Sequence, residues 1–390
     1  MILTYRYRLL PTKSQHRALE AILESQRELY NAALQERIDA YRKAGIRRAY
    51  FDQLKALTEW RRCDPEGSAL PVTLQRATLK RLDAAYEGFF RRIQNGGNPG
   101  FPGFRGKGRF DTFGFCAFSG ISLRKGRVRF KGMPGGLRVH MHRPMPEEAK
   151  IKTCTFCRGA KGWMVGFAMD LPTSPMREAR RTVGIDLGIT TFATLSDGVV
   201  VPSLRASRRG KRRLTIAQRA LARKSRGSNG RRKARAQLRR CHAKTARQRA
   251  DHLHQASALL VREYDLIAVE ALRIRAMARS ALAKDVHDAS WAKFISMLSY
   301  KAEKSGAQLV QVDPRHTSQL CSACGAKVPK KLADRRHECP QCYLSIDRDL
   351  NAARNILHRA GVGPGLHNVA DCGMRAGGNL NQPEPSLNMG

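Results

Sequence analysis

Between Ile2 and Leu10 apolar and polar residues alternate, with Leu3, Tyr5, Tyr7 and Leu9 on one face and Thr4, Arg6 and Arg8 on the other. A period of two predicts a half-buried strand, here with a basic outer face. Pro11 ends it, and Thr12 with Gln15 has the spacing of a capping box. The helix that follows carries Leu19, Ile22, Leu23, Leu29 and Tyr30 on one side. Helical periodicity continues through residues 74–92, until NGGNPGFPGFRGKGR breaks regular structure with glycine and proline. Over residues 112–171, runs such as RVRF, LRVHMH, KIKTCTF and WMVGFAMDL alternate with turn residues. They predict a small antiparallel sheet or barrel that the first strand joins, with the helices inserted between.

A boundary falls near SPMREARR, followed by two apolar runs around the hairpin signal Ser196-Asp197-Gly198. Residues 205–249 contain no acid, and their arginines crowd onto two predicted helices broken at SRGSNG. Leu214, Ala217, Leu221, Leu238, Ala246, Leu253 and Leu260 supply the expected buried stripe. The Gly-, Asn- and Pro-rich tail, 363–390, lacks periodicity and predicts disorder.

Composition changes this picture in one respect. The 390 residues are 42% hydrophobic, enough for several cores, but 72 Lys+Arg against 32 Asp+Glu leave a net charge of +40. Such a surface calls for a polyanion, with counterion release making the binding salt-dependent. The expected contacts are Arg6 and Arg8 on the first strand, and Arg231, Arg232, Lys233, Arg235, Arg239, Arg240 and Arg247 on the basic helices. An uncompensated charge run of this kind repels itself unless phosphate is near. There is no long apolar run and no signal-peptide pattern, and the ten cysteines suit a reducing compartment, so the expectation is a cytoplasmic protein with no membrane partner.

The strongest local pattern is Cys321-x-x-Cys324 with Cys339-x-x-Cys342, two knuckles that set four thiolates around one structural Zn²⁺. Cys154 and Cys157 lack partners and read as core packing. Three acids stand apart from the basic background. Asp186 in TVGIDLG and Glu270 in YDLIAVEAL close apolar strand-like runs, and SIDRDLNAARNI opens a helix with Asp347 as natural N-cap and Asp349 in the first turn. Either of the last two is a possible third ligand. Singly, each acid could pair with an arginine from the basic helices; together they can hold paired Mg²⁺ in a metal-dependent nuclease, provided folding gathers them into one narrow pocket. Asp197, Asp265 and Asp313 have structural readings at a hairpin, a strand entry and a pre-proline turn. His140-Met141-His142 has the form of a transposase metal motif, but two histidines on one solvated strand face explain it more cheaply, and no paired tyrosine helix accompanies it.

In order, YRYRLLPTKSQ, GFPGFRGK, GIDLG, VEAL, TSQLCSACG with CPQC, and DLNAARNI resemble TnpB, also called OrfB, an insertion-sequence family related to type V CRISPR effectors. The resemblance implies an RNA-guided DNA endonuclease of an α/β multidomain class. Its RuvC, RNase H-like nuclease domain (179–316 and 345–362) would carry an inserted zinc ribbon (317–344). Ahead of it would stand a β-barrel wedge domain (1–11 and 108–178) with an inserted helical recognition domain (12–107). It implies Asp186, Glu270 and Asp349 as the catalytic triad, deciding for Asp349 over Asp347, with two Mg²⁺, a guide RNA from the transposon end and target double-stranded DNA. Ala271 departs from the acidic residue usual after the family's second acid, without touching the ligand. Two other functions stay open: an RNA-guided repressor that binds without cutting, and an accessory transposase. A structural RNA-binding zinc protein would leave the strand-end acids unexplained.

Overall fold

The computed structural model describes residues 1–204, 206–272, 289–331 and 334–361. The tail expected to be disordered, 363–390, lies outside the described residues. The chain divides into two compact units, Met1–Thr173 with Arg212–Lys244, and Ser174–Lys211 with Thr245–Gly390.

In the first unit β1 (Ile2–Leu10) leads into helices α1 (Lys13–Ala44), α2 (Tyr50–Cys63), α3 (Pro65–Ser68) and α4 (Val72–Gln94). Six strands follow: β2 (Thr112–Phe115), β3 (Ile121–Arg124), β4 (Arg127–Phe130), β5 (Leu137–His140), β6 (Lys150–Gly159) and β7 (Gly162–Asp170). They pair antiparallel in the order β2-β6-β7-β1-β5-β4-β3, so the first strand lies at the centre. Its alternation is literal: Tyr5, Tyr7 and Leu9 are buried while Thr4, Arg6 and Arg8 are exposed. No ladder joins β2 to β3 among the described residues, so by hydrogen bonding the sheet is open where a closed barrel was expected. Strands β2 to β5 have only four residues each, and the start of α4 stands between the loop ends instead: the Thr73 carbonyl accepts from Cys116 N (3.3 Å) and its hydroxyl donates to Ser119 O (2.8 Å).

The capping box forms as the sequence spacing requires, Thr12 N to Gln15 Oε1 at 3.1 Å and Gln15 N to Thr12 Oγ1 at 3.3 Å. The inserted helices are not an independent body. Leu19, Ile22, Leu34, Leu74, Leu79 and Leu82 share one core with Phe113, Phe156 and Phe167 of the sheet, because an amphipathic helix must bury its apolar stripe against another layer. The loop containing GFPGFRGK has no regular structure but is gripped by Asn31, which accepts from Arg105 N (2.8 Å) and donates to Arg105 O (3.0 Å).

In the second unit β8 (Thr182–Leu187), β9 (Thr191–Leu195), β10 (Val200–Pro202), β11 (Leu266–Glu270) and β12 (Gln308–Val312) form a sheet ordered β10-β9-β8-β11-β12. The first three pair antiparallel, and β8, β11 and β12 run parallel. Two basic helices, α5 (Ala206–Ala222) and α6 (Asn229–Glu263), connect β10 to β11; α7 (Trp291–Ser305) precedes β12. A short hairpin, β13 (Arg336–Glu338) with β14 (Ser345–Asp347), leads into α8 (Arg348–Arg359).

The sheet is covered on both faces, and period-two alternation decides which side chain goes where. Val183, Ile185, Leu187, Ile267 and Val269 pack with Leu253, Leu260, Phe294 and Leu298 from α6 and α7. Leu266, Ala268 and Val312 turn the other way, onto Ile356 and Leu357 of α8. A Cβ on Gly184 would stand 2.1 Å from Ala353 O and 2.8 Å from Leu357 N, so helix and strand touch backbone to backbone there.

The basic segment departs from expectation. Residues 212–244 cluster with the first unit and not with the nuclease stretch 179–316, and Arg239 reaches Asp111 at 3.9 Å. Of the proposed stripe only Ala217, Leu253 and Leu260 are buried, while Ala246 is exposed. Burial along α6 starts at Leu253, where the helix meets the sheet. No helix is long and apolar enough to cross a membrane among the described residues.

Gly184→Val should lower the melting temperature by several degrees, since overpacking costs about 1–3 kcal/mol and backbone atoms cannot step aside. A variant that melts with wild type in a thermal scan would contradict the close contact of α8 with β8.

Candidate functional site

The alternation that buries Val183 and Ile185 against α6 and α7 turns Gly184 and Asp186 to the opposite face, toward α8. On β11 the same rule turns Leu266, Ala268 and Glu270 that way. The parallel register pairs Ala268 with Gly184 and Val269 with Ile185. One step further along, Glu270 stands beside Asp186 at the carboxyl ends of adjacent strands, whose axes are about 4.8 Å apart. That is where open α/β sheets hold their ligands.

The third acid comes from the start of α8. Asp347 caps the helix, its Oδ1 accepting from Asp349 N (2.8 Å) and Leu350 N (3.1 Å). This spends Asp347 on the backbone and leaves the Asp349 carboxylate in the first turn, beside the strand-end acids. Asp186 feels the result. Burial first, then the negative charges of Glu270 and Asp349, push its carboxyl up to about 8, with Arg348 opposing. Burial also raises Glu270, against the Thr317 hydroxyl that donates to its Oε1 and the positive charge of Arg359.

Asp186 therefore sits within electrostatic range of both Glu270 and Asp349. Among the described residues, the four ribbon cysteines form a group whose ligand atoms all lie within 4.8 Å of one another. Among the described residues, two cations beside the acids, Arg348 and Arg359, come from α8. Arg348 Nη2 is 3.3 Å from Asp349 Oδ1, and Arg359 anchors to Asp313 O at 2.6 Å.

Sequence reading overlooked the residues that hold this arrangement. Asn351 and Asn355 are buried one turn apart on α8. Asn351 accepts from Ser322 N (2.9 Å) and donates to Leu320 O (2.7 Å), while Asn355 donates to Thr317 O (2.8 Å) and Leu320 O (2.7 Å). These bonds clamp the helix carrying Asp349 to the segment that holds Thr317 on Glu270 and then becomes the first cysteine knuckle. The available signal was two asparagines four apart inside a helix, residues that favour caps and turns unless a partner is waiting.

At the ribbon Cys321 Sγ lies 3.5 Å from Cys342 Sγ, and Cys324 Sγ 3.5 Å from Cys339 Sγ. A disulfide needs about 2.05 Å, whereas a tetrahedral Zn²⁺ with bonds of about 2.3 Å sets its sulfurs about 3.8 Å apart. The backbone N–H of Cys342, with that of Gln341, holds the Cys339 thiol down to about 6, preparing it as a thiolate. The donor set fits zinc, with no fifth group needed.

The remaining candidates fall into place singly. Arg6, Arg8, Arg232, Lys233, Arg235, Arg240 and Arg247 are exposed. Arg231 is instead a loop fastener, its Nη1 donating to Leu221 O (3.2 Å) and Lys224 O (2.7 Å) across the break between α5 and α6. Arg239 is shared with Asp111. Asp197 accepts from Val199 N at 3.0 Å in its hairpin, Asp265 from Arg181 N at 3.0 Å, and Asp313 from Arg315 N at 3.0 Å. Cys154 is buried in the core and Cys157, three residues on, points to the other face of β6, so the two cannot act as a pair. The exposed His142 packs against Tyr7 at 5.3 Å between ring centroids, just past the end of β5.

Comparison with known proteins agrees with this architecture. Residues 167–281 match the IS605-type OrfB family, described as "Probable transposase", and residues 291–356 match the Cas12f1-like TNB domain. Residues 1–46 match a domain described as helix-turn-helix, although here they form one strand and one uninterrupted helix. A Streptomyces pristinaespiralis protein named as an RNA-guided DNA endonuclease is 34% identical over 361 residues, 90% of this chain and 88% of its own. InsQ of Escherichia coli, also named as an RNA-guided DNA endonuclease, is 26% identical over 95% of this chain and 93% of its own. The Cas12f1 chain of a complex with single-guide RNA and target DNA shares the fold, with TM-score 0.57 at 14% identity over 88% of this chain and 83% of that one.

Two measurements check the site. The purified chain should carry one zinc by elemental analysis, lost in Cys339→Ser but kept in Cys157→Ser; a full equivalent in Cys339→Ser would rule out the four-thiolate site. The second concerns pH. Asp186 ionises near 8 in the fold against an ordinary 3.8, so the unfolded chain sheds this proton first and the metal-free fold loses stability from about pH 4 up to about pH 8. Metal-free Asp186→Asn should then melt on the order of 5 °C above wild type at pH 8 and no higher at pH 3; equal melting at pH 8 would contradict a buried, acid-flanked Asp186.

Proposed function

The chain belongs to the TnpB (OrfB) family of insertion-sequence proteins, and from that premise we propose that it is an RNA-guided DNA endonuclease that hydrolyses guide-matched DNA at Asp186, Glu270 and Asp349. The observation that carries the reading is the convergence of three carboxylates in a chain of charge +40, where burial and then the charges of Glu270 and Asp349 push Asp186 up to about 8. A fold does not keep an unfavourable acid cluster without something to neutralise it. Hard oxygen donors of this kind suit Mg²⁺. Three carboxylates from two strand ends and a helix can hold a pair of such ions. Such ions, when bound, activate water and stabilise the leaving oxygen of a phosphodiester.

The chain's own residues prepare that chemistry. Asp186 must give up its carboxyl proton before it can ligate, so its share of metal affinity grows as pH rises toward 8. Thr317, donating to Glu270 Oε1, fixes one oxygen and leaves the other to ligate. Arg348 balances Asp349 and can turn to phosphate when a cation replaces it. The sheet, with parallel strands delivering two acids from their carboxyl ends and a helix delivering the third, supports the RuvC, RNase H-like reading of the second unit. The first unit, with β1 central in its sheet and its helices sharing the core, supports the wedge and recognition roles. A guide RNA from the transposon end supplies sequence discrimination by pairing, and the exposed arginines supply charge. Zinc is structural, because four thiolates complete its shell.

Copurification with guide RNA, followed by matched double-stranded DNA with and without Mg²⁺, tests the reading. Wild type should cut only with Mg²⁺. Asp186→Ala, Glu270→Ala and Asp349→Ala should still bind DNA but cut on the order of a thousandfold more slowly. Asp347→Ala should stay within about tenfold of wild type, as expected of a lost helix cap. Equal cleavage by wild type and the three triad variants would remove the site; DNA binding by wild type without any cutting would favour the repressor.

A further inference from the structure

In the first unit the end of α1, the loop after it, α4 and the GFPG segment enclose a cavity of about 670 Å³. Its volume lies within the range of small-ligand pockets, about 300–1,000 Å³. One wall is a run of rings: Phe89 meets Phe90 at 5.2 Å and Phe101 at 5.3 Å, and Tyr86 meets Phe101 at 5.7 Å between centroids. Phe90 is 40% exposed and Phe101 54%, so the rings are not consumed by the core. Tyr41, also lining the cavity, is 68% exposed.

The rim is cationic. Arg42, Arg47 and Arg48 line the same cavity, and the Arg47 guanidinium lies 5.0 Å over the Phe90 ring. Of the acids there, Asp83 is already paired with Arg37 at 3.0 Å. Glu87 remains, against three exposed arginines, of which Arg48 has Glu36 at 3.7 Å. Exposed ring surface with a guanidinium already lying over Phe90 matches one chemistry in particular, a base that takes the place of the guanidinium on the rings and sets its phosphate on the displaced arginine. A second copy of this chain would fit poorly, bringing its own +40 to a positive rim.

We infer that this cavity binds an unpaired nucleotide base, with Phe90 and Phe101 as the stacking platform and Arg42 and Arg47 holding the adjoining phosphate. The site is separate from the acid cluster and needs neither catalysis nor pairing to a guide, although the inference rests on the nucleic-acid-directed reading above. Phe101 reaches the platform because Asn31 pins its loop, which gives the irregular GFPGFRGK segment a purpose in recognition.

Full-length protein is titrated into six-nucleotide single strands carrying 2-aminopurine, one RNA and one DNA, whose fluorescence quenches on stacking. Wild type should quench at least one of them, and the RNA and DNA arms show which sugar is preferred. Phe90→Ala should weaken this by about tenfold. Arg47→Glu, a surface change that spares the fold, should weaken it comparably and flatten its salt dependence. Photo-cross-linking with 4-thiouridine or 4-thiothymidine should map to Tyr41, Tyr86, Phe90 or Phe101. Quenching unchanged in both variants, or cross-links only elsewhere, overturns the pocket while leaving the nucleic-acid reading intact. Failure of both strands to bind wild type at low salt counts against the pocket and the nucleic-acid reading alike. A dimer that Phe90→Ala dissociates, with quenching unaltered, assigns the face to self-association and overturns the inference.

Discussion

Helix α8 lies directly on strand β8 because position 184 has no side chain, and the rest of the site follows from that contact. With a Cβ there the helix would have to lift away, and Asp349 in its first turn would leave the neighbourhood of Asp186 and Glu270. The same contact commits one face of the sheet to α8 and the other to α6 and α7. Once the faces are assigned, alternation along β8 and β11 leaves the two strand acids no choice of direction. The asparagine bonds from α8 to Thr317, Leu320 and Ser322 then make the cysteine ribbon an extension of the same arrangement.

Electrostatics runs in opposite senses in different parts of this chain. With 72 Lys+Arg against 32 Asp+Glu the chain as a whole is short of acids, while Asp186 stands where Glu270 and Asp349 repel it. Both conditions are unfavourable in isolation, and the function proposed above would relieve both, with polyanions on the surface and divalent cations at the acids. Local arginines temper the acids without neutralising them, since Arg348 and Arg359 come from the very helix that brings Asp349. The ribbon obeys the same logic in softer chemistry, with thiolates gathered to a spacing too wide for disulfides and suited to zinc.

Charge runs proved less uniform than their composition suggests. Arg231 fastens a loop by hydrogen-bonding two carbonyls, and Arg239 is held by Asp111, so neither is simply a free contact for phosphate. Residues 212–244 are claimed by the first unit because the stripe along α6 buries only from Leu253 onward, which lets the preceding turns associate elsewhere. Aromatic clustering at Tyr86, Phe90 and Phe101 joins residues from a helix and an irregular loop, and no periodicity links those positions.

Patterns whose partners lie close in the chain were legible without coordinates. The strand at Ile2–Leu10, the Thr12 cap, the two basic helices and the cysteine quartet each depend on spacings of two to about twenty residues, which local geometry converts directly into structure. Asp347 as cap and Asp349 as first-turn residue belong to the same class. The open edge between β2 and β3, the shared core of helices and sheet, Thr317 on Glu270 and the asparagine clamp were not legible, because each joins segments whose meeting is decided by packing. Sequence alone thus determined which acids and cysteines were candidates for chemistry; only the tertiary structure decided which of them meet, because the side-chain direction set by alternation has no meaning until the fold assigns each face of the sheet its neighbour.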